Sequence, residues 1–269
     1  MSRQMRTIGL WVVLMVLFVA FYQFFSSEPA AGHDVAPAAN TERTSLWSVL
    51  SSWLPIVFLF LFFVFFMRRV NARNQVTNDG IQLLWAGRYL QALEIFEQER
   101  AKDPKQPVHV FNAGSAKLQL WKLGAAAADF EATSKLVVKG KEGALATILP
   151  EHLGLTFALL GRTGEAWKCV KEMPVAPTES GRRLLTEGVL LAREGNFSEA
   201  RRKLGAFEVK QLSGTIGALA RTVDALCIEK TNGELRHVDR VALFGEAAPD
   251  ELERGWPELV DFVKRAPAW

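Results

Sequence analysis

Only two cysteines, Cys169 and Cys227, occur in 269 residues. That excludes a disulfide framework and a four-thiolate zinc site, and each stands in an apolar helical context that suits a small buried hydrophobe. Histidine is nearly as sparse. His33, His109, His152 and His237 lie far apart, none with a second imidazole or a thiol at ligand spacing, so no metal site is expected. An excess of one charge is missing too: the net formal charge is +3, and its basic surplus comes from arginines flanking apolar segments, which removes the electrostatic case for nucleic acid. The chain has no G-x-x-x-x-G-K-[ST] to cradle phosphates and no H-E-x-x-H to hold zinc. Glu151-His152, at the head of a helix, reads as solvated surface, and Gly140 to Gly143 around Lys141 as a loop. With no nucleophile, base and orienting residue that can be grouped, neither an enzyme nor a cofactor is expected.

What the chain does have is concentrated apolar sequence. Ten of its 18 phenylalanines and three of its 8 tryptophans fall in residues 1–70. Residues 7–27 and 44–67 form uncharged runs of 21 and 24 residues, against the roughly 20 apolar residues that cross a bilayer core. Two transmembrane helices, over 7–27 and 46–67, are therefore expected, joined by a short external loop 28–43. Arg3 and Arg6 before the first run, and Arg68, Arg69 and Arg73 after the second, would keep both termini cytoplasmic in a multi-pass bacterial inner-membrane protein. The alternative for the first run is a cleaved signal peptide. It has a basic n-region, but the run is longer than a usual h-region and the first A-x-A-like site, at Ala36 to Ala38, is remote.

The stretch RTIGLWVVLMVLFVAFYQFF, with Ser52-Trp53-Leu54-Pro55 opening the second run and Phe66-Met67-Arg68 closing it, resembles the two-span N-terminal anchor of the FtsH family of membrane AAA+ metalloproteases. The resemblance covers about the first 70 residues. That family carries a folded domain between its spans where this chain has a short loop, and its ATPase and protease motifs have no counterpart downstream. The resemblance therefore implies an association with such an assembly and carries over no activity.

After residue 70 the pattern changes to helical periodicity with a fixed repeat of 34 residues. Gly80, Tyr89, Ala92 and Phe96 recur as Gly114, Leu123, Ala126 and Phe130, and Gly154, Gly161 and Ala166 recur as Gly188, Gly195 and Ala200. Small residues on both helices of a hairpin let them approach closely, with Phe96 or Phe130 filling the gap to the next repeat. Six extra residues separate the second unit from the third, and Trp121 stands where a turn glycine is expected.

The segments G-R-Y-L-Q-A-L-E-I-F, ending at Asp103-Pro104, and G-N-F-S-E-A resemble the turn and second-helix motifs of the tetratricopeptide repeat (TPR) family. The fold expected is all-α: two transmembrane helices in residues 1–70, a four-repeat TPR-like solenoid over 71–212, and a C-terminal helical cap over 213–269, where Pro249-Asp250-Glu251 and Pro257-Glu258 resemble helix starts. The resemblance implies a concave protein-binding face of Thr77, Ile81, Leu84 and Trp85, then Phe111, Ser115 and Leu118, then Leu155 and Leu159, then Arg182, Leu185, Val189 and Arg193. That face is mostly apolar, which suits an amphipathic helix. The basic clamp by which some such domains grip chaperone tails is absent at Thr77 and Ile81. Alternatively Leu259, Phe262 and Val263 of the chain itself could occupy the trough. The function expected is a membrane-anchored scaffold or adaptor for a protein partner, the alternatives being an accessory subunit of an FtsH-type protease assembly or a structural membrane oligomer. Ala166→Glu should cost about 3–5 kcal/mol by driving an unpaired charge into a close helix contact, measured by chemical denaturation.

Overall fold

The computed structural model describes residues 46–137, 143–173, 180–245 and 249–267. The expected first span at 7–27, the loop 28–43 and the turn around Lys141 lie outside them. Contacts divide the chain into two compact units, 1–60 and 61–269. Of the first, the described residues 46–60 all belong to one helix, α1 (Leu46–Trp85). The second holds the rest of α1 and twelve further described helices.

Two expectations need correction. No helix among the described residues is long and apolar enough to cross a membrane, which overturns the fold with two transmembrane helices and the multi-pass inner-membrane location. Helix α1 runs unbroken through residue 70, 40 residues in all. Between Pro55 and Gly80 there is neither proline nor glycine to end a helix.

Beyond α1 the helices run as hairpins. They are α2 (Tyr89–Lys102), α3 (Pro107–Gln119), α4 (Leu123–Leu136), α5 (Gly143–Leu159), α6 (Thr163–Glu172), α7 (Gly181–Arg193) and α8 (Phe197–Leu204). A short α9 (Phe207–Lys210) leads to the 19-residue α10 (Gly214–Asn232). Four turns share one geometry. Gly87, Trp121, Gly161 and Gly195 all take positive φ, at 75°, 58°, 83° and 80°, and the N–H of the following residue donates to the carbonyl five residues back, at 2.9 Å each time, in Arg88, Lys122, Arg162 and Asn196. This is the bonding of a helix C-terminus closed by a left-handed residue.

Within the hairpins, small residues set the spacing. A Cβ on Gly80 would lie 2.6 Å from Phe96 Cε1, one on Gly114 2.9 Å from Phe130 Cε1, and one on Gly188 2.8 Å from Leu204 Cδ2. Phe96 and Phe130 therefore lie on the glycine of their own hairpin, where the sequence suggested a gap between repeats. In the third hairpin, Cys169 and Met173 occupy the space beside Gly154. Cys169 and Cys227 are both buried and unbridged, and burial pushes their thiols up to about 11 and about 12.

The C-terminal segment does more than cover the last apolar face. Helices α11 (Arg240–Phe244), α12 (Asp250–Gly255) and α13 (Pro257–Arg265) lie against successive hairpin turns. Trp121 Nε1 donates to Leu243 O at 2.6 Å, and its ring meets Phe244 edge-on at 6.0 Å. Glu251 accepts from Gly124 N at 2.5 Å, Gly255 abuts the backbone of Leu159 and Leu160, and Arg193 donates to Gly255 O at 2.7 Å. Arg265 and Lys230 then pair with Glu229 and Glu258, at 2.8 and 2.5 Å, fixing α13 on α10. Leu259, Phe262 and Val263 are buried in this packing.

Trp121 thus holds an unfavourable backbone conformation because its indole anchors the segment. Trp121→Ala keeps the positive φ and loses the ring, costing about 3–5 kcal/mol. Trp121→Gly loses the same ring and recovers about 1 kcal/mol of backbone strain. Denaturant titration should rank wild type above the glycine variant, and that above alanine.

Candidate functional site

The helices preceding each turn place one face toward a cavity of about 660 Å³ inside the second unit. On α3, residues 111, 112, 115, 118 and 119 fall on one helical face, and all five line it. From α1 come Ile81, Leu84 and Trp85, from α5 Ile148 and His152, and from α7 Arg182. Leu212, Ser213, Gly214 and Ile216, at the start of α10, complete the wall opposite Tyr89.

The two ends of this wall touch. Thr215 N donates to Tyr89 Oη at 3.4 Å, and the Tyr89 hydroxyl sits where a Cβ on Gly214 would project. With φ at 61° as well, position 214 accepts only glycine without strain. Ser213 is the N-cap of α10 but makes no side-chain capping bond.

Polar groups in the cavity are largely uncommitted. Asn112 Nδ2, Ser115 Oγ, Gln119 Oε1 and one guanidinium nitrogen of Arg182, Nη1, are enclosed without a hydrogen-bond partner. Burial lowers the Arg182 pKa to about 10, an effect opposed by the charge of Glu151. Glu151 itself accepts from Ser180 Oγ at 2.6 Å, and Ser180 caps α7 by accepting from Arg183 N at 3.1 Å. His152 packs edge-on against Phe111, with centroids 4.8 Å apart, and tilts against Phe130 at 5.6 Å. Its Nδ1 lies 3.0 Å from Ile148 O. A carbonyl can only accept, so Nδ1 carries the proton and Nε2 keeps its lone pair. Burial, and secondarily the charge of Arg182, hold the imidazole well below its usual 6.5, against the bond to Ile148.

Of the residues expected on a binding face, Ile81, Leu84, Trp85, Phe111, Ser115, Leu118 and Arg182 meet in this cavity. Thr77 is half-buried one turn before Ile81 and does not line it. Leu155, Leu159, Leu185 and Val189 are wholly buried in the main core. They continue the faces of α5 and α7 beyond the cavity, where neighbouring helices cover them. Arg193 belongs to the C-terminal segment instead, with its guanidinium 5.1 Å from the Trp256 ring centroid. Sequence reasoning missed Asn112, Gln119, Ile148, Tyr89 and the start of α10, and it placed His152 on solvated surface. The i, i+4 pairing of Ile148 with His152 was the signal available for α5. The arrangement is one for holding a ligand: apolar walls, one cation and spare hydrogen-bonding groups. Among the described residues no three of His, Cys, Asp and Glu converge as a metal site.

The depressed His152 pKa makes stability depend on pH. The unfolded chain takes up this proton near its usual 6.5 while the folded chain resists it, so the contribution is complete above that value and is lost as pH falls through the folded pKa. Thermal melts from about pH 7.5 to about pH 5 should show a steeper loss of Tm for wild type than for His152→Phe, which has no proton to gain.

No protein-family model matches the chain. It is similar to the ATP-dependent zinc metalloprotease FtsH of Myxococcus xanthus, with 32% identity over 123 aligned residues, a match taking in 24% of this chain and 19% of that protein. The chain thus spans less than a fifth of the length of this relative, and the likeness is that of an FtsH-like region within an otherwise helical protein.

Proposed function

We propose that the chain is a non-catalytic, TPR-like protein-binding module acting as an adaptor for a protein partner beside an FtsH-type protease. The observation that carries the binding reading is Trp85, which is 81% exposed on the rim of the cavity next to Ile81 and Leu84. A tryptophan left in water beside an apolar recess is the kind of anchor that dominates protein–protein contacts. The four equivalent turns and the 34-residue repeat support a TPR-like arrangement, whose stacked hairpins serve elsewhere as interaction surfaces.

The FtsH-like region supports the choice of assembly. The sequence holds neither phosphate-cradling nor zinc-holding motif, so its part there is delivery or restraint of a client and not cleavage. Crosslinking and affinity purification from native cells, followed by mass spectrometry, test both statements. Trp85→Ala should weaken partner capture about thirtyfold, corresponding to about 2 kcal/mol for an interface anchor. Val241→Ala, at a residue 77% exposed and away from the cavity, should leave it unchanged. Equal capture by both variants rejects the rim as the binding surface, and crosslinks that never include an FtsH-type protease reject the assembly.

A further inference from the structure

The cavity is provisioned for negative charge by three separate features. Arg182 brings a cation whose Nη1 is enclosed and unpartnered. Ser115 and Asn112, only 8% and 9% exposed, bring Oγ and Nδ2 with nothing to bond. Enclosed polar groups left in this state cost about 1–3 kcal/mol each, and both line the same space as Arg182. Third, the 19-residue helix α10 starts at the cavity wall with no side-chain cap, so the positive end of its dipole lies at the site.

The ligand's charge and body follow from the remaining surroundings. Among the described residues no carboxylate side chain lines the cavity, and the charge of Glu151 already acts on Arg182, so a single negative charge is matched where a phosphate dianion would be undercompensated. A planar guanidinium fork suits a carboxylate. Phe111, Ile148 and Ile216 are among the residues that supply hydrocarbon to the remaining wall, beside the polar groups of Gln119, His152, Tyr89 and Ser213. The Tyr89–Thr215 contact joins the second helix to the tenth across the face, so the recess is bounded and not a trough along which a long chain could lie. Its volume of about 660 Å³ is that of a small-molecule site.

We propose that this cavity binds a small monocarboxylic acid with an apolar body, its carboxylate held by Arg182, Ser115 and Asn112 and its hydrocarbon lying against Phe111, Ile148 and Ile216. This goes beyond the adaptor reading, which rests on Trp85 at the rim and is tested separately. The C-terminus of a polypeptide carries the same chemistry, so the experiment includes it.

Isothermal titration of the full chain with octanoate, octanol and the tripeptide Ala-Leu-Val as its free acid separates the cases. Octanoate should bind at one site, and octanol at least about tenfold more weakly. Arg182→Gln should lose about tenfold or more of the octanoate affinity, and Ser115→Ala about fivefold, with circular-dichroism melts reporting that each variant folds. Arg182→Gln should also leave the Trp85-dependent crosslinks in place, which keeps failure of this site distinct from failure of the adaptor reading. Equal binding of octanol and octanoate, no octanoate binding, or wild-type affinity in a folded Arg182→Gln overturns the proposal. A tripeptide bound about tenfold more tightly than octanoate overturns it in favour of a polypeptide terminus. Should Arg182→Gln not fold, the octanoate-to-octanol ratio on the wild-type chain decides.

Discussion

The hairpins depend on a contact with no room for a side chain. At Gly80, Gly114 and Gly188 the partner helix presses Phe96, Phe130 or Leu204 onto bare backbone, closer than a Cβ would allow. Alanines at 92, 126, 166 and 200, all wholly buried, complete the approach from the other side. With the helices this close, the turn that joins them must be tight, and the left-handed residue at its tip satisfies the last carbonyls of the preceding helix. The cavity inherits this spacing, because the helices that line it are the first members of these closely packed pairs.

Ion pairs and the C-terminal segment hold one hairpin to the next. Asp129, nearly enclosed, accepts from Arg100 at 2.8 Å and Lys117 at 2.6 Å, and Lys117 also reaches Glu97 at 2.6 Å. Glu187 is held within its own hairpin by Arg183, at 3.0 Å, and by Lys203. Buried pairs of this kind contribute little net energy but are costly to break singly, which favours one relative placement of the helices over others. Along the turns, Trp121, Gly124, Leu159 and Arg193 each grip the same C-terminal segment. Trp121 shows the coupling most directly, since a bulky residue tolerates a left-handed turn only where tertiary contacts over-determine it.

Part of the site was legible from the repeat alone. Once the period places Gly80 and Gly114 at equivalent positions, Ile81, Leu84, Trp85, Ser115 and Leu118 share a helical face by geometry, and the structure brings them together. His152 was not legible as a half-buried residue, because its cover comes from Phe111 and Phe130 on other helices. The same holds for Leu155, Leu185 and Val189, which share the periodicity of the lining residues and differ from them only in what lies above. Asn112 and Gln119 looked like ordinary polar helix positions, and their missing partners appear only when the space around them is closed.

The sequence by itself determined the helices, their hairpin pairing and the points of close approach, because these follow from local spacing, from glycine and alanine at a fixed period, and from turn residues that need positive φ. Length and apolarity in the sequence did not determine a membrane crossing: α1 runs from the second apolar segment into the first repeat as one helix, and no described helix is long and apolar enough to cross a membrane. Only the tertiary structure decided that the C-terminal helices return along the turns, that Tyr89 meets the start of α10, and that Arg182 shares a cavity with Ser115 and Asn112. Those contacts join residues more than sixty positions apart, and enclosure at such separation depends on how successive helix crossings add up, which no local pattern encodes.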